Sequence, residues 1–378
     1  MMEQIEDEAQ DYPVVDADGH VEEDLERITE LLPPSMRPFA PRFLAEGPLG
    51  HVAFELEGRV WRSKYPFPGG RTNAVAAGGQ HNEGGRDPHV RLEVLDSEGL
   101  AATVLFPSAA LLFGWYENPD IAAAMCRAYN EWLAEYCAAD PSRLFGVAVL
   151  PQQEPRLAAA ELQRAVDDYG FVAGMVRPNK IGGRTVDHPD FEVLWEVAAD
   201  LDAPVVLHEA YNHGIDTIGI DRMSTYAGCH VMSHVFEQMS SMLVVGLSGP
   251  LARHADLRLG FFEAGCGWAP TWVDRISEHF ELAPDDFRGG DPAEALRTRT
   301  WLTFELDEPA LRSTCELGWA DNVCFASDYP HFDATFPGAV EKVRGSDLDD
   351  ELLRKLLSDN AFGFFGDRLR EPLSAAAI

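Results

Sequence analysis

The chain is short of positive charge. Its 378 residues carry 30 Lys and Arg against 63 Asp and Glu, a formal net charge of −33. A protein that tracks phosphates needs clustered cations, so nucleic acid is not expected as a partner, and an anionic membrane surface would repel the chain. Long apolar runs are missing as well. No stretch approaches the ~18 residues of a membrane span, and the N-terminus MMEQIEDEAQDYP has no apolar core of a signal peptide. The first dozen residues read as a disordered lead-in, and residues 13–378 as a single barrel unit.

Other absences narrow the class further. The six cysteines, Cys126, Cys137, Cys229, Cys266, Cys315 and Cys324, form no C-x-x-C pair and suit free thiols of a reducing compartment, so a cytoplasmic protein is expected. No G-x-G-x-x-G or G-x-x-x-x-G-K loop follows an apolar run, which argues against a doubly wound nucleotide-binding fold.

Eight short apolar runs are present: VVDAD (14–18), ATVLFP (102–107), LFGVAVLP (144–151), VAGMVRP (172–178), APVVLHE (203–209), LRLGFFEAG (257–265), TWLTFEL (300–306) and NVCFASD (322–328). Amphipathic segments lie between them, such as Asn118 to Asp140, where Ile121, Met125, Ala128, Trp132 and Tyr136 recur at helical spacing behind an Asn-Pro start. Apolar strands alternating with helices form a parallel sheet buried on both faces. Eight such units predict an α/β fold, a closed (β/α)8 TIM-like barrel. About 80 residues separate the first two runs. They contain HVAFELEGRVWRSKY, a β-hairpin turning at Glu57-Gly58, and a Gly-rich run, GGRTNAVAAGGQHNEGGRDP. An insertion there, about residues 47–87, would sit over the C-terminal mouth as a lid or wall.

Ionisable residues gather at the C-terminal ends of the runs: Asp18 and His20, His208 and Glu209, Glu263, Glu305 and Asp328. In a parallel barrel these ends share one mouth. Buried charges need partners, and a divalent metal takes His nitrogens and carboxylate oxygens together. Alternation puts Asp16, Asp18 and His20 on one face of the first strand.

The D-x-D-x-H of the first strand, PVVLHEA, GPLARHADLRLGFFEAGCGWAPTWVDRI and FASDYPH resemble the amidohydrolase superfamily, in particular the branch that includes aminocarboxymuconate-semialdehyde and resorcylate decarboxylases. The resemblance runs from about residue 13 to about residue 368. It implies a metal site on Asp18, His20, His208 and Asp328, one or two divalent ions of zinc, iron or manganese, and a homodimer. Asp16, one pleat deeper, reads as a supporting acceptor. Where the resembled decarboxylases carry histidine at the end of the sixth strand, Glu263 stands here, able to serve as a base or a metal ligand.

His234 is a further candidate ligand or catalytic group, with His230 one turn earlier on the same helix. His331 is a candidate for orienting water or substrate. Arg177 would pair with a substrate carboxylate or neutralise the acidic mouth, and no lysine ends the fourth strand unless Lys180 is displaced into that role. Trp115, Tyr116 and Trp268 are candidate pocket walls. Ser108 and Ser327 lack a nucleophile-elbow context, Cys266 reads as a buried thiol, and Glu22 and Glu23 are expected in solvent. Because a carboxylate replaces that histidine, hydrolysis of a small-molecule amide, ester or acyl thioester by metal-activated water is expected, with Asp328 or Glu263 as base. A metal-dependent nonoxidative decarboxylase of an aromatic or unsaturated acid is the alternative.

Overall fold

Continuous apolar runs form strands where both faces are covered, and that is how this chain uses them. The computed structural model describes residues 12–44, 53–62, 83–210, 215–331 and 334–376; the expected lead-in, apart from Tyr12, and most of the Gly-rich run lie outside these. Strand β1 (Val15–His20) is followed by a small antiparallel sheet of β2 (Arg42–Leu44), β3 (Ala53–Leu56) and β4 (Arg59–Arg62). Then come β5 (Ala102–Phe106), β6 (Leu144–Val149), β7 (Ala173–Val176), β8 (Val205–His208), β9 (Leu259–Phe262), β10 (Thr300–Phe304) and β11 (Val323–Phe325). The order β1-β5-β6-β7-β8-β9-β10-β11 is sequential, every pair is parallel, and every residue of these eight strands is buried.

Helices fill the intervals, as in Pro119–Cys137, whose Asn118 side chain accepts from the Asp120 and Ile121 N–H groups, satisfying donors that a helix start leaves open. The result is a (β/α)8 barrel whose eight strands coincide with the eight apolar runs.

Between β11 and β1 the ring closes through hydrogen bonds outside the strand ladders. The Asp328 N–H donates to Asp18 O at 3.0 Å and the His20 N–H to Tyr329 O at 2.7 Å. The Asp16 carboxylate accepts from Ser327 N at 2.8 Å, Ser327 Oγ at 2.7 Å and Thr103 Oγ1 at 2.9 Å. Burial raises the pKa of Asp16, and these donors oppose the shift. The seam therefore runs through the same residues that carry the site chemistry.

The hairpin turns at Glu57 and Gly58, both at positive φ (51° and 73°), which matches the twist of two-residue turns. A third strand, Arg42–Leu44, pairs with it, so the sheet starts ahead of residue 47. Phe54 and Trp61 of this sheet pack on Trp115, with ring centroids 4.4 and 5.2 Å away. Trp115 and Tyr116 are thereby buried, and the Tyr116 hydroxyl donates to Phe39 O at 3.0 Å. They belong to the core beneath the sheet, not to an open pocket wall.

Candidate metal centre

The backbone aims these side chains before any pairing begins. On β1 the register against β5 shifts between Asp16 and Gly19, a bulge that re-aims side chains. Simple alternation is broken: Asp16 turns to Ser327 and Thr103, while Asp18 and His20 meet at the mouth. Gly19 is required between them, because a Cβ there would lie 2.5 Å from Thr103 Oγ1 and 2.6 Å from Asp16 Oδ2. Glu263 and Asp328 leave β9 and β11 at φ 66° and 55°. A left-handed conformation costs a non-glycine residue about 1 kcal/mol or more, and such strain concentrates at functional sites.

Four donors converge. His20 Nε2 and His208 Nε2 lie 3.5 and 3.4 Å from Asp18 Oδ1, and Glu263 Oε2 lies 3.7 Å from His208 Nε2. One ligand atom from each of Asp18, His20, His208 and Glu263 falls within 4.8 Å of the others.

The tautomers are set from behind. His20 Nδ1 donates to Pro107 O at 2.8 Å and His208 Nδ1 to Glu209 O at 2.9 Å, so each Nε2 turns a lone pair inward. Burial, reinforced by His331 and His208, holds the His20 pKa well below the ordinary histidine range, which keeps this imidazole neutral. Asp18 Oδ1, His20 Nε2 and His208 Nε2 are buried with no hydrogen-bond partner. Buried polar atoms without partners cost free energy, and a divalent ion with bonds of about 2.1 Å keeps its ligand atoms roughly 3.0–3.5 Å apart. The donor set fits such an ion.

A second group shares His20. Asp328 Oδ1 is 3.4 Å from His20 Nε2 and 2.6 Å from His331 Nδ1, and His331 Nε2 is 2.9 Å from Ser108 Oγ. His20, Asp328 and His331 form a further set of mutually close donors.

Other candidates lie elsewhere. His234 is in neither donor group. It is 7 % exposed, bonds His230 O through Nδ1 at 3.0 Å, stacks on His230 with centroids 4.0 Å apart, and burial keeps its pKa well below the ordinary value. Glu305 is exposed and outside the centre, because β10 ends at Phe304 before reaching it. Lys180 is exposed too, so no displaced lysine enters the site.

Arg177 is buried and spends its donors on protein: Asn179 Oδ1 at 3.0 Å, Leu111 O at 3.2 Å, Ala210 O at 2.6 Å and Glu209 Oε1 at 3.2 Å. It neutralises Glu209 rather than waiting for a substrate. Burial nonetheless pushes the Glu209 carboxyl up, to about 8, against the pull of Arg177.

The expectation that Glu22 and Glu23 face solvent fails. Glu22 is buried and pairs with Arg86 at 2.8 Å. Glu23 accepts from the N–H groups of Ser108, Ala109 and Ala110 at 3.0, 2.8 and 2.8 Å. Cys266 is a buried thiol 3.3 Å from Glu308 Oε2, and Trp268 Nε1 donates to Gly265 O at 2.9 Å. Ser108 and Glu23 are the residues that sequence reasoning undervalued. Their signal was position alone, at the mouth ends of β5 and β1.

Imidazoles and carboxylates gathered at the C-terminal mouth of a parallel barrel define a metal-site barrel by class. Within that class the chain belongs to the amidohydrolase family, which it matches over residues 15–366.

A γ-resorcylate decarboxylase of Rhizobium sp. is 35 % identical over 125 residues, 31 % of this chain and 37 % of that protein; the matched part thus spans about a third of the relative. Among solved structures, an amidohydrolase of Mycobacterium avium subsp. paratuberculosis superposes with TM-score 0.78 at 20 % identity, over 95 % of this chain and 100 % of the other. A dihydroxybenzoic acid decarboxylase of Polaromonas sp., with bound manganese and 2-nitroresorcinol, gives TM-score 0.65 at 19 % identity over 94 % and 97 %. These structures share the fold.

The sequence similarity corrects the expected hydrolase and thioesterase: the relative matched in sequence carries a decarboxylase name. The physical reason is that Glu263 does not by itself decide the reaction, because a carboxylate can ligate an ion in either chemistry. No helix among the described residues is long and apolar enough to cross a membrane.

Proposed function

We propose that the protein is a metal-dependent nonoxidative decarboxylase of a small aromatic or unsaturated carboxylic acid. The observation that carries this reading is the sequence match to a γ-resorcylate decarboxylase, in a chain whose buried Asp18, His20 and His208 donors face one another without partners. Asp18, His20, His208 and Glu263, whose donor atoms lie within 4.8 Å of one another, would hold one divalent ion, with Asp328 and His331 beside it. Manganese is the first ion to test, since the Polaromonas enzyme binds it. Such an ion supplies Lewis acidity toward a substrate oxygen.

The chain's own part is proton handling. His331 Nδ1 and Asp328 Oδ1, 2.6 Å apart, hold a proton between them beside the donor cluster. Delivered to the ring carbon that bears the carboxylate, that proton uses a ring electron pair. The electrons of the breaking C–C bond then restore the ring as CO2 departs. Buried aromatic neighbours such as Phe106, stacked on His208 at 5.1 Å, keep the histidine side of the centre dry, where proton transfer and charge interactions are stronger.

A homodimer in a reducing compartment is proposed on smaller grounds: the Tyr226–Ser248 helix exposes Val231 and Phe236 at 68 % and 44 %, and all six cysteines are free and buried.

The test is incubation of manganese-loaded protein with 2,6-dihydroxybenzoate and other hydroxybenzoates, following CO2 and, in D2O, deuterium at the vacated carbon. Metal-dependent CO2 release is expected. A metal-loaded protein that releases none from the panel, or releases it equally after chelation, sinks the reading.

A further inference from the structure

We propose that Ser108 is a positioning residue for the His331–Asp328 pair: its hydroxyl fixes the His331 imidazole and keeps the ring proton on Nδ1, facing Asp328. The ring is held at both nitrogens, with Nδ1 2.6 Å from Asp328 Oδ1 and Nε2 2.9 Å from Ser108 Oγ. One face also lies against His20, with centroids 3.9 Å apart. An ionised carboxylate can only accept, so Nδ1 must donate. In the neutral ring Nε2 then carries a lone pair and needs a donor, which the Ser108 O–H supplies. Remove that hydroxyl and the Nε2 lone pair loses its donor while Nδ1 keeps only the Asp328 contact, so the preference for the proton on Nδ1 weakens.

Ser108 is itself held in place. Its N–H donates to Glu23 Oε1 at 3.0 Å, and the same carboxylate takes the next two N–H groups of the turn at 2.8 and 2.8 Å. Glu23 thus anchors the start of the Ala109–Trp115 turn to the chain just beyond β1, and through Ser108 sets where His331 stands. Ser327, the other serine near the mouth, cannot substitute, because its Oγ is committed to Asp16 Oδ2 at 2.7 Å. Three strand ends, those of β1, β5 and β11, are joined in one line of control running from Glu23 through Ser108 and His331 to Asp328.

The turnover part of the test rests on the decarboxylase reading; the tautomer part does not. Ser108→Ala should lower kcat about tenfold with KM within about twofold and metal content unchanged, and Ser108→Thr, which keeps the hydroxyl, should recover most of it. In zinc-loaded protein labelled with 15N-histidine, long-range 1H–15N correlations should report His331 as the Nδ1–H tautomer. The Ala variant should shift it toward Nε2–H, and the Thr variant should not. An Ala variant with unchanged tautomer and unchanged kcat overturns the proposal, as does a Thr variant impaired as deeply as Ala, since size rather than the hydroxyl would then matter. If the unmodified protein decarboxylates nothing, the function reading falls alone, because the tautomer is read without turnover.

Discussion

Two buried polar clusters flank the end of β8, and they are built on opposite principles. In the Asp18–His20–His208 cluster the inward atoms have no hydrogen-bond partner, although their rear nitrogens are bonded to carbonyls. In the Arg177–Asn179–Glu209 cluster, the guanidinium is matched by four protein acceptors. A cluster satisfied in all but one atom, Glu209 Oε2, stabilises the fold and has little left to bind with. A cluster that leaves lone pairs facing one another carries a standing cost that a bound cation relieves.

The sharpest way to break this contrast is to change one member of each. His208→Asn should abolish metal binding and lower turnover about 10³-fold, while unfolding of the metal-free protein shifts by under about 1.5 kcal/mol. Metal analysis, kinetics and urea denaturation check this; retention of one metal equivalent would remove His208 from the centre. Arg177→Met should do the reverse, costing about 3–5 kcal/mol of stability by leaving the buried acceptors Asn179 Oδ1, Leu111 O and Ala210 O without their donor, without removing the metal donors. A stable Arg177→Met protein that has lost its metal would collapse the distinction.

A smaller effect follows from Glu209. Its folded pKa, about 8, lies above the ordinary 4.5, so the folded state keeps a proton that the unfolded chain has lost. Stability from this group is complete below about pH 4.5 and is lost as pH rises toward about 8. Glu209→Gln removes the titration. Its metal-free stability relative to the unmodified protein should climb by about 3.5 kcal/mol between pH 5 and pH 8, and a flat difference would show that Arg177 keeps Glu209 ionised.

The smallest effect concerns strain. Glu263→Gly relieves a positive φ and should raise metal-free stability by about 1 kcal/mol while impairing the centre. A lower melting temperature in that variant would mean that the carboxylate contributes more to the fold than its backbone costs.

Strand positions were legible because a strand covered on both faces must be apolar throughout, and eight such runs have no simpler parallel arrangement than a closed barrel. Asp18, His20, His208, Glu263 and Asp328 stood out for the same reason, as ionisable groups where apolar runs end. Glu305 carried that signal too, yet it lies beyond the last residue of β10 and faces solvent. Glu22 and Glu23 looked like a solvated turn. Their burial depends on Arg86 and on the N–H groups of residues 108–110, far along the chain. Arg177 could not be assigned to substrate or protein until its acceptors were seen.

The sequence by itself determined the barrel, the mouth and the residue types available there, because periodicity and hydropathy are local properties of a chain. Tertiary structure decided which of those residues face one another, which are already satisfied, and that a serine at the end of β5 grips a histidine beyond β11. Hydrogen-bond partnership is a short-range, directional relation between strands that the chain brings together only when the ring closes.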